Sequence, residues 1–233
     1  LPSRPVMLSS GREMLRIGVP AAGANMMTPL AAGIMTAIAA SFGDEAVAAF
    51  GVGARLEPMA TLIVLAMSSS LPPLISQNFG SGKIDRVEEA YRLSIKFILG
   101  WQMLVYMVLA LGAGVIASTF SDDPEVIETI KLFLWILPLA YGMQGVIILT
   151  NSSLNALHRP MSALYLSSAR FFVFYVPLAY VGSQWLGLAG FFGGALCGNF
   201  LMAAISWRSF NKAISQERAT HANCAESTAE NMA

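Results

Sequence analysis

Glu57 is the side chain in this 233-residue sequence whose position most demands a chemical reason. It lies about ten residues into an apolar stretch, 47–78, or ~15 Å along a helix that rises 1.5 Å per residue. A charge near the centre of a bilayer costs roughly 2.5–3.5 kcal/mol on insertion scales, so such residues face a bundle interior or a watery cavity. Arg55 is two residues away and about 200° around the helix, so it cannot neutralise Glu57 on one face. Snorkelling toward the outer interface accounts for Arg55. Thr61 and Ser68 share the Glu57 face, and Pro58 opens the backbone bonding beside it. Two readings follow. Glu57 is a protonatable or cation-attracting acid of a cavity, or it is half of a structural salt bridge. The partner for a bridge is Arg170, about ten residues into another apolar stretch, 161–182. Arg170 could equally line the cavity or cap backbone carbonyls of a neighbouring helix.

A second polar stripe runs along the stretch 128–151 and just past it. Gln144, Asn151 and Asn155 fall within about 40° of one another at helical spacing, flanked by Tyr141. The stretch 17–42 places Asn25 and Thr36 on one face, with Pro20 and Pro29 as bends. Amides in lipid serve either a cavity or as interhelical glue worth about 1 kcal/mol. The candidate cavity set is therefore Glu57, Arg170, Asn25, Thr61, Tyr141, Gln144, Asn151 and Asn155. Gly190, Gly194 and Gly198 have the small-xxx-small spacing of closely packed helices. Met26, Met27, Met35, Phe171 and Phe174 suit lipid contact, core, or an adaptable pocket.

Soluble-enzyme chemistry does not assemble. Gly80-Ser81-Gly82-Lys83 resembles the end of a phosphate-binding loop, but Gln77 stands where the first glycine belongs and Ile84 where a magnesium-holding Ser or Thr belongs. A flexible turn with a basic anchor explains it better. His158 and His221 share no metal-ligand spacing with each other or with Cys197 and Cys224. No nucleophile, histidine and acid come together, so no catalytic residue, metal or cofactor is assigned and the chain is not read as an enzyme. The two cysteines fall on different sides of a membrane and form no disulfide framework. Asn151-Ser152-Ser153 matches a glycosylation sequon but sits at the cytoplasmic end of a helix.

The elements that must hold these residues are six apolar segments, 17–42, 47–78, 93–119, 128–151, 161–182 and 186–207. A spanning helix needs roughly 20 mainly apolar residues. Composition agrees, with 55% hydrophobic and 12% charged residues and a mean hydropathy of +0.61. Helices satisfy their own backbone groups in lipid, so the chain is an all-α polytopic membrane protein with the lipid bilayer as its first partner. Arg4, Arg12, Arg16, Lys83, Arg86, Arg92, Lys96, Arg159, Arg208, Lys212 and Arg218 fall on one side. The other side has only Lys131, alongside Asp44, Glu45, Asp122, Asp123, Glu125 and Glu128. The positive-inside bias puts both termini in the cytoplasm. Residues 1–16 are read as a cytoplasmic segment, 17–210 as the six-helix body, and 211–233 as a polar, disordered cytoplasmic tail. The net charge of zero hides this asymmetry, and nothing in the sequence suggests nucleic-acid binding. The first segment is too long for a secretory signal. The chain opens on Leu1 and is expected to be a piece of a longer protein or a stand-alone half.

The stretch Glu45–Glu57 resembles the entry to the eighth helix of multidrug and toxic compound extrusion (MATE) transporters, and Ser68–Lys83 is similar to that helix's cytoplasmic end. Leu154–Pro160, then Arg170 and Pro177–Tyr180, resemble the family's tenth-to-eleventh helix region. The resemblance runs from about Met14 to Phe210. It implies twelve helices in two six-helix lobes related by a pseudo-two-fold axis, a recognised transporter design. This chain would then be the C-terminal lobe, with its N-terminal partner lobe outside it. The implied activity is export of cationic, amphipathic drugs in exchange for sodium ions or protons, by rocking between inward- and outward-open states at a bacterial inner membrane. The pattern departs where many relatives carry a glutamate in the seventh helix and an aspartate in the tenth. Asn25 or its neighbours and Leu139–Tyr141 stand at those places, which leaves Glu57 as the buried acid of this lobe. Two rivals are a lipid-linked oligosaccharide flippase of the same superfamily, expected to have a strongly cationic cavity, and a non-transporting membrane scaffold subunit.

Overall fold

The computed structural model describes residues 26–230, with side chains through Thr220. Asn25, Pro20 and the segment 1–16 lie outside the described residues. Helix α1 is Met26–Ala40, α2 Asp44–Ala60, α3 Leu62–Gly80, α4 Ile84–Leu111, α5 Ala113–Phe120, α6 Pro124–Ile136, α7 Leu139–Ala156 and α8 Pro160–Ala169. A π-helical segment, Arg170–Tyr175, follows, and α9 is Val176–Glu230. Helix α4 and the run Pro160–Thr220 are each long and apolar enough to cross a membrane. The pairs α2–α3 and α6–α7 do so as bent units, broken by 41° and 46°.

The run from Pro160 is two crossings. Leu186 and Gly187 leave helical geometry inside α9, and Gly187 has φ 59° and ψ −140°, a left-handed conformation that favours glycine. The chain turns back there, so arms 176–185 and 188–230 run antiparallel. Gly190 packs on the carbonyl of Gly182 and Gly194 on that of Leu178. A Cβ at Gly198 would lie 2.9 Å from Phe174 O. The sequence spacing read as close packing is the seam of this hairpin. With α1, α2–α3, α4–α5 and α6–α7, the stretches 160–185 and 188–230 make six helical units of one all-helical lobe.

Broken helices leave carbonyls that lipid cannot satisfy, and neighbouring side chains take them. Gln102 of α4 donates to Ala60 O at the α2–α3 break (3.0 Å). Trp135 donates to Ala110 O beside the α4–α5 break (3.2 Å), and Tyr106 to Trp135 O (3.1 Å). Apolar packing forms two clusters. One gathers Ile75, Tyr91, Ile98, Leu154 and Phe210, and the other Met35, Ala49, Phe133, Phe191 and Phe192 toward the opposite end.

The tail departs from its expected disorder. The helix runs through 211–230, and Ala213 and Ile214 are buried. Phe210, Ala213 and Ile214 stand at i, i+3 and i+4, one apolar stripe within an otherwise polar stretch. Phe210 stacks on Tyr91 at 3.6 Å between ring centroids. Arg218 bridges Asp85 (2.7 Å) and Glu88 (2.9 Å), and Glu217 pairs with Arg159 (2.7 Å). Average polarity concealed the stripe.

The hairpin seam yields a paired prediction. Gly194→Ala drives a methyl group into the Leu178 carbonyl, whereas Gly193→Ala has open space within 4 Å. Thermal unfolding in detergent should show Gly194→Ala destabilised by about 1–3 kcal/mol and Gly193→Ala unchanged or slightly more stable. Equal effects would refute the close seam.

Candidate functional site

Between the two apolar clusters the helices leave a cavity of about 120 Å³, walled by α1, α2, α6, α7, the π segment and the second arm of α9. Local geometry builds it. Gly53 lets the Phe133 ring lie directly against α2, and Phe50 meets that ring edge-on at 6.1 Å. One helical turn beyond Gly53, α2 brings Glu57 to the same wall. The bend between α6 and α7 turns Tyr141 and Gln144 toward it.

The central contact joins α2 to α7. Gln144 Nε2 donates to Glu57 Oε1 at 2.8 Å, 87 residues away in sequence. The other carboxylate oxygen accepts from no described side chain. Arg170 lines the same cavity, but among the described residues no ion pair joins it to Glu57. The expected salt bridge is therefore replaced by an amide-to-carboxylate hydrogen bond. The Arg170 guanidinium lies over the Phe171 ring, 4.9 Å from its centroid, and its Nε is buried without a hydrogen-bond acceptor.

Of the sequence-derived set, the structure gathers Glu57, Tyr141, Gln144 and Arg170 around one cavity. Thr61 does not join them. It is buried, but its hydroxyl turns back to Glu57 O at 2.7 Å, which spends it on the α2–α3 break. Ser68 likewise donates to Leu65 O (2.8 Å), so the stripe proposed beyond Glu57 ends where the helix bends. Asn151 donates to Ser167 Oγ at 2.9 Å and ties α7 to α8 instead. Asn155 is exposed at the end of α7, and its carbonyl accepts from His158 N at 3.1 Å. Shared helical phase put these amides on one line but said nothing of depth. Asn25 lies outside the described residues.

Three polar cavity residues, Thr28, Tyr175 and Asn199, escaped the sequence reading. Tyr175 is five positions from Arg170, which in an α-helix separates them by about 140°. The π segment's i→i+5 pattern brings residues at this spacing toward one side, and Arg170, Phe171 and Tyr175 all line the cavity. Asn199 also lines it, 2% exposed, and an amide deep in the sixth apolar segment was a usable signal. Its Nδ2 donates to Ala195 O (3.1 Å), while its Oδ1 is buried and unpartnered.

The arrangement offers one carboxylate, one guanidinium, two phenols and amides between aromatic walls. That suits recognition of a charged, ring-bearing molecule. Among the described residues no three His, Cys, Asp or Glu side chains gather as a metal cluster would need. The volume is small against the roughly 300–1,000 Å³ of drug-sized sites, so this lobe can hold one functional group of such a ligand but not the whole.

A family model described as MatE matches residues 20–181. A protein of Shewanella oneidensis named FAD transporter is 42% identical over 196 residues, covering 84% of this chain and 43% of the relative. The multidrug export protein MepA of Staphylococcus haemolyticus is 24% identical over 179 residues, covering 77% of this chain and 39% of its own length. Among solved structures, the Vibrio cholerae MATE transporter VcmN in its bent form matches with a TM-score of 0.84 at 34% identity. That match covers 91% of this chain and 48% of VcmN. The chain spans about half the length of the relatives it matches.

The α2–α7 bond makes a stability prediction. Gln144→Met should destabilise the lobe by about 1–3 kcal/mol by stranding the Glu57 carboxylate. Adding Glu57→Met should recover much of that loss, giving a coupling energy of about 1 kcal/mol in a double-mutant cycle read by thermal unfolding. Simple additivity would contradict the bond.

Proposed function

This chain belongs to the MatE family of membrane transporters, and we propose that it is the C-terminal lobe of a secondary antiporter. The assembled protein would export amphipathic, positively charged drug-like molecules in exchange for sodium ions or protons. The observation that carries this reading is the Glu57 carboxylate, held by Gln144 at one oxygen on the wall of a cavity. A carboxylate kept at that depth against its desolvation cost is suited to a proton, a small cation or a cationic cargo. Aromatic walls from Phe50, Phe133 and Phe171 add the apolar and cation–π surface such cargo requires. Because the cavity is too small for a whole ligand, a second six-helix lobe supplies the opposite wall, as the half-length matches suggest. The charge distribution of the loops supports both termini facing the cytoplasm of a bacterial inner membrane.

A second reading replaces the drug with an anionic, ring-bearing metabolite of the flavin dinucleotide type. Arg170, with no carboxylate partner among the described residues, favours it, as does the relative named FAD transporter.

The test is gradient-driven dye export by proteoliposomes holding this lobe joined to its N-terminal partner. Glu57→Gln keeps the shape and the hydrogen bond with Gln144 but removes the charge. It should leave the melting temperature within a few degrees while export falls about tenfold or more, a loss of at least ~1.4 kcal/mol of coupling. The lone chain should export nothing. Full gradient-driven export by Glu57→Gln would exclude the coupling role, and robust export by the lone chain would exclude the half-site.

A further inference from the structure

Among the described residues Arg170 makes no ion pair, although Glu57 stands in the same cavity. Its Nε is buried without an acceptor, no described carboxylate pairs with it, and its guanidinium carbon lies over the Phe171 ring, 4.9 Å from the centroid. A guanidinium nitrogen removed from water without an acceptor is costly unless something compensates it, and the half-buried Arg170 lines the cavity. The placement is specific to the backbone. The π segment starts at Arg170, and such single-turn insertions cluster at functional positions. Its register sets Arg170 and Tyr175 on the cavity together.

We propose that Arg170 forms an oxyanion subsite, a place for a carboxylate or phosphate oxygen of the transported molecule, in the same cavity as Glu57. The guanidinium has the fork that matches such groups. Among the described residues no acceptor takes its N–H groups, and the Phe171 ring lies beside it for the ring that carries the anion. Asn199 also lines the cavity, and its unpartnered Oδ1 is an acceptor suited to a hydroxyl or N–H of the same molecule. With Glu57 available for positive charge, the cavity distinguishes a zwitterion from a simple cation. The preferred cargo class is a flat, ring-bearing molecule with a cationic group and an oxyanion. This proposal rests on the transport reading above and narrows its substrate.

The experiment uses a rhodamine with a free carboxylate and the methyl ester of the same dye. The two share ring system and cation and differ at the oxyanion. Binding to the assembled transporter in nanodiscs is followed by fluorescence anisotropy. The wild type should bind the free acid about tenfold more tightly than the ester, the worth of one charge-assisted hydrogen-bonded contact. Arg170→Gln should lower affinity for the acid about tenfold and leave the ester within about twofold. Arg170→Lys, which retains the charge without the fork, should fall between. Equal binding of both dyes by the wild type would overturn the subsite and leave the transport reading standing. So would an equal effect of Arg170→Gln on both dyes, the pattern expected if a carboxylate of the partner lobe holds the arginine. Failure of the wild type to bind either dye would count against both. The wild-type ratio requires no variant, so a folding defect at position 170 cannot obscure the answer.

Discussion

A carboxylate inside hydrocarbon must find a donor, and in this lobe the donor for Glu57 is the amide of Gln144 across the α2–α7 interface. Much of the local architecture follows from making that contact possible. Helix α2 must stop and bend soon after Glu57, and the bend frees the Ala60 carbonyl that Gln102 then occupies. Helix α6 must bend into α7 so that Tyr141 and Gln144 reach the same level. Each break would be intolerable in lipid alone and is tolerated because a neighbouring side chain restores the lost bond. The bends, the amides and the acid form one solution to one electrostatic constraint.

The same constraint explains why the lobe reads as half of something. A polar cavity bounded on one side by protein needs another boundary, because unpaired polar groups facing hydrocarbon cost several kilocalories each, on the order of 2–7 kcal/mol. The cavity is about 120 Å³, enough for a functional group and too small for a drug-sized molecule. Charge balance points the same way. One acid and one base share the space with no ion pair between them among the described residues.

Much of this was legible in the sequence. Six apolar segments gave the helical body, and glycines at fourth-residue spacing gave the hairpin seam. Depth and residue type singled out Glu57, Gln144 and Arg170. What stayed hidden depended on departures from ideal helical phase. Thr61, Asn151 and Asn155 have the right angular positions, but backbone repair, a bond to Ser167 and plain exposure claim them. Tyr175 enters the cavity because a π segment shifts its register, and an α-helical wheel places it elsewhere. The Arg170 bridge was inferred from charge alone, while the structure satisfies Glu57 with a neutral amide. The C-terminal helix was obscured because an apolar stripe at Phe210, Ala213 and Ile214 vanishes in an averaged composition.

The central claim is that this cavity is one wall of a site completed by a second lobe. Ala54 lines it and is exposed in this lobe, so A54C, in a protein with Cys197 and Cys224 replaced by alanine, reports its openness. The measurement is the rate of modification by a hydrophilic thiol reagent, compared between the lone chain and the assembled transporter in the same detergent. The account predicts markedly slower labelling in the assembled protein and further slowing when a bound dye fills the site. Equal rates in the two forms, unaffected by dye, would contradict it.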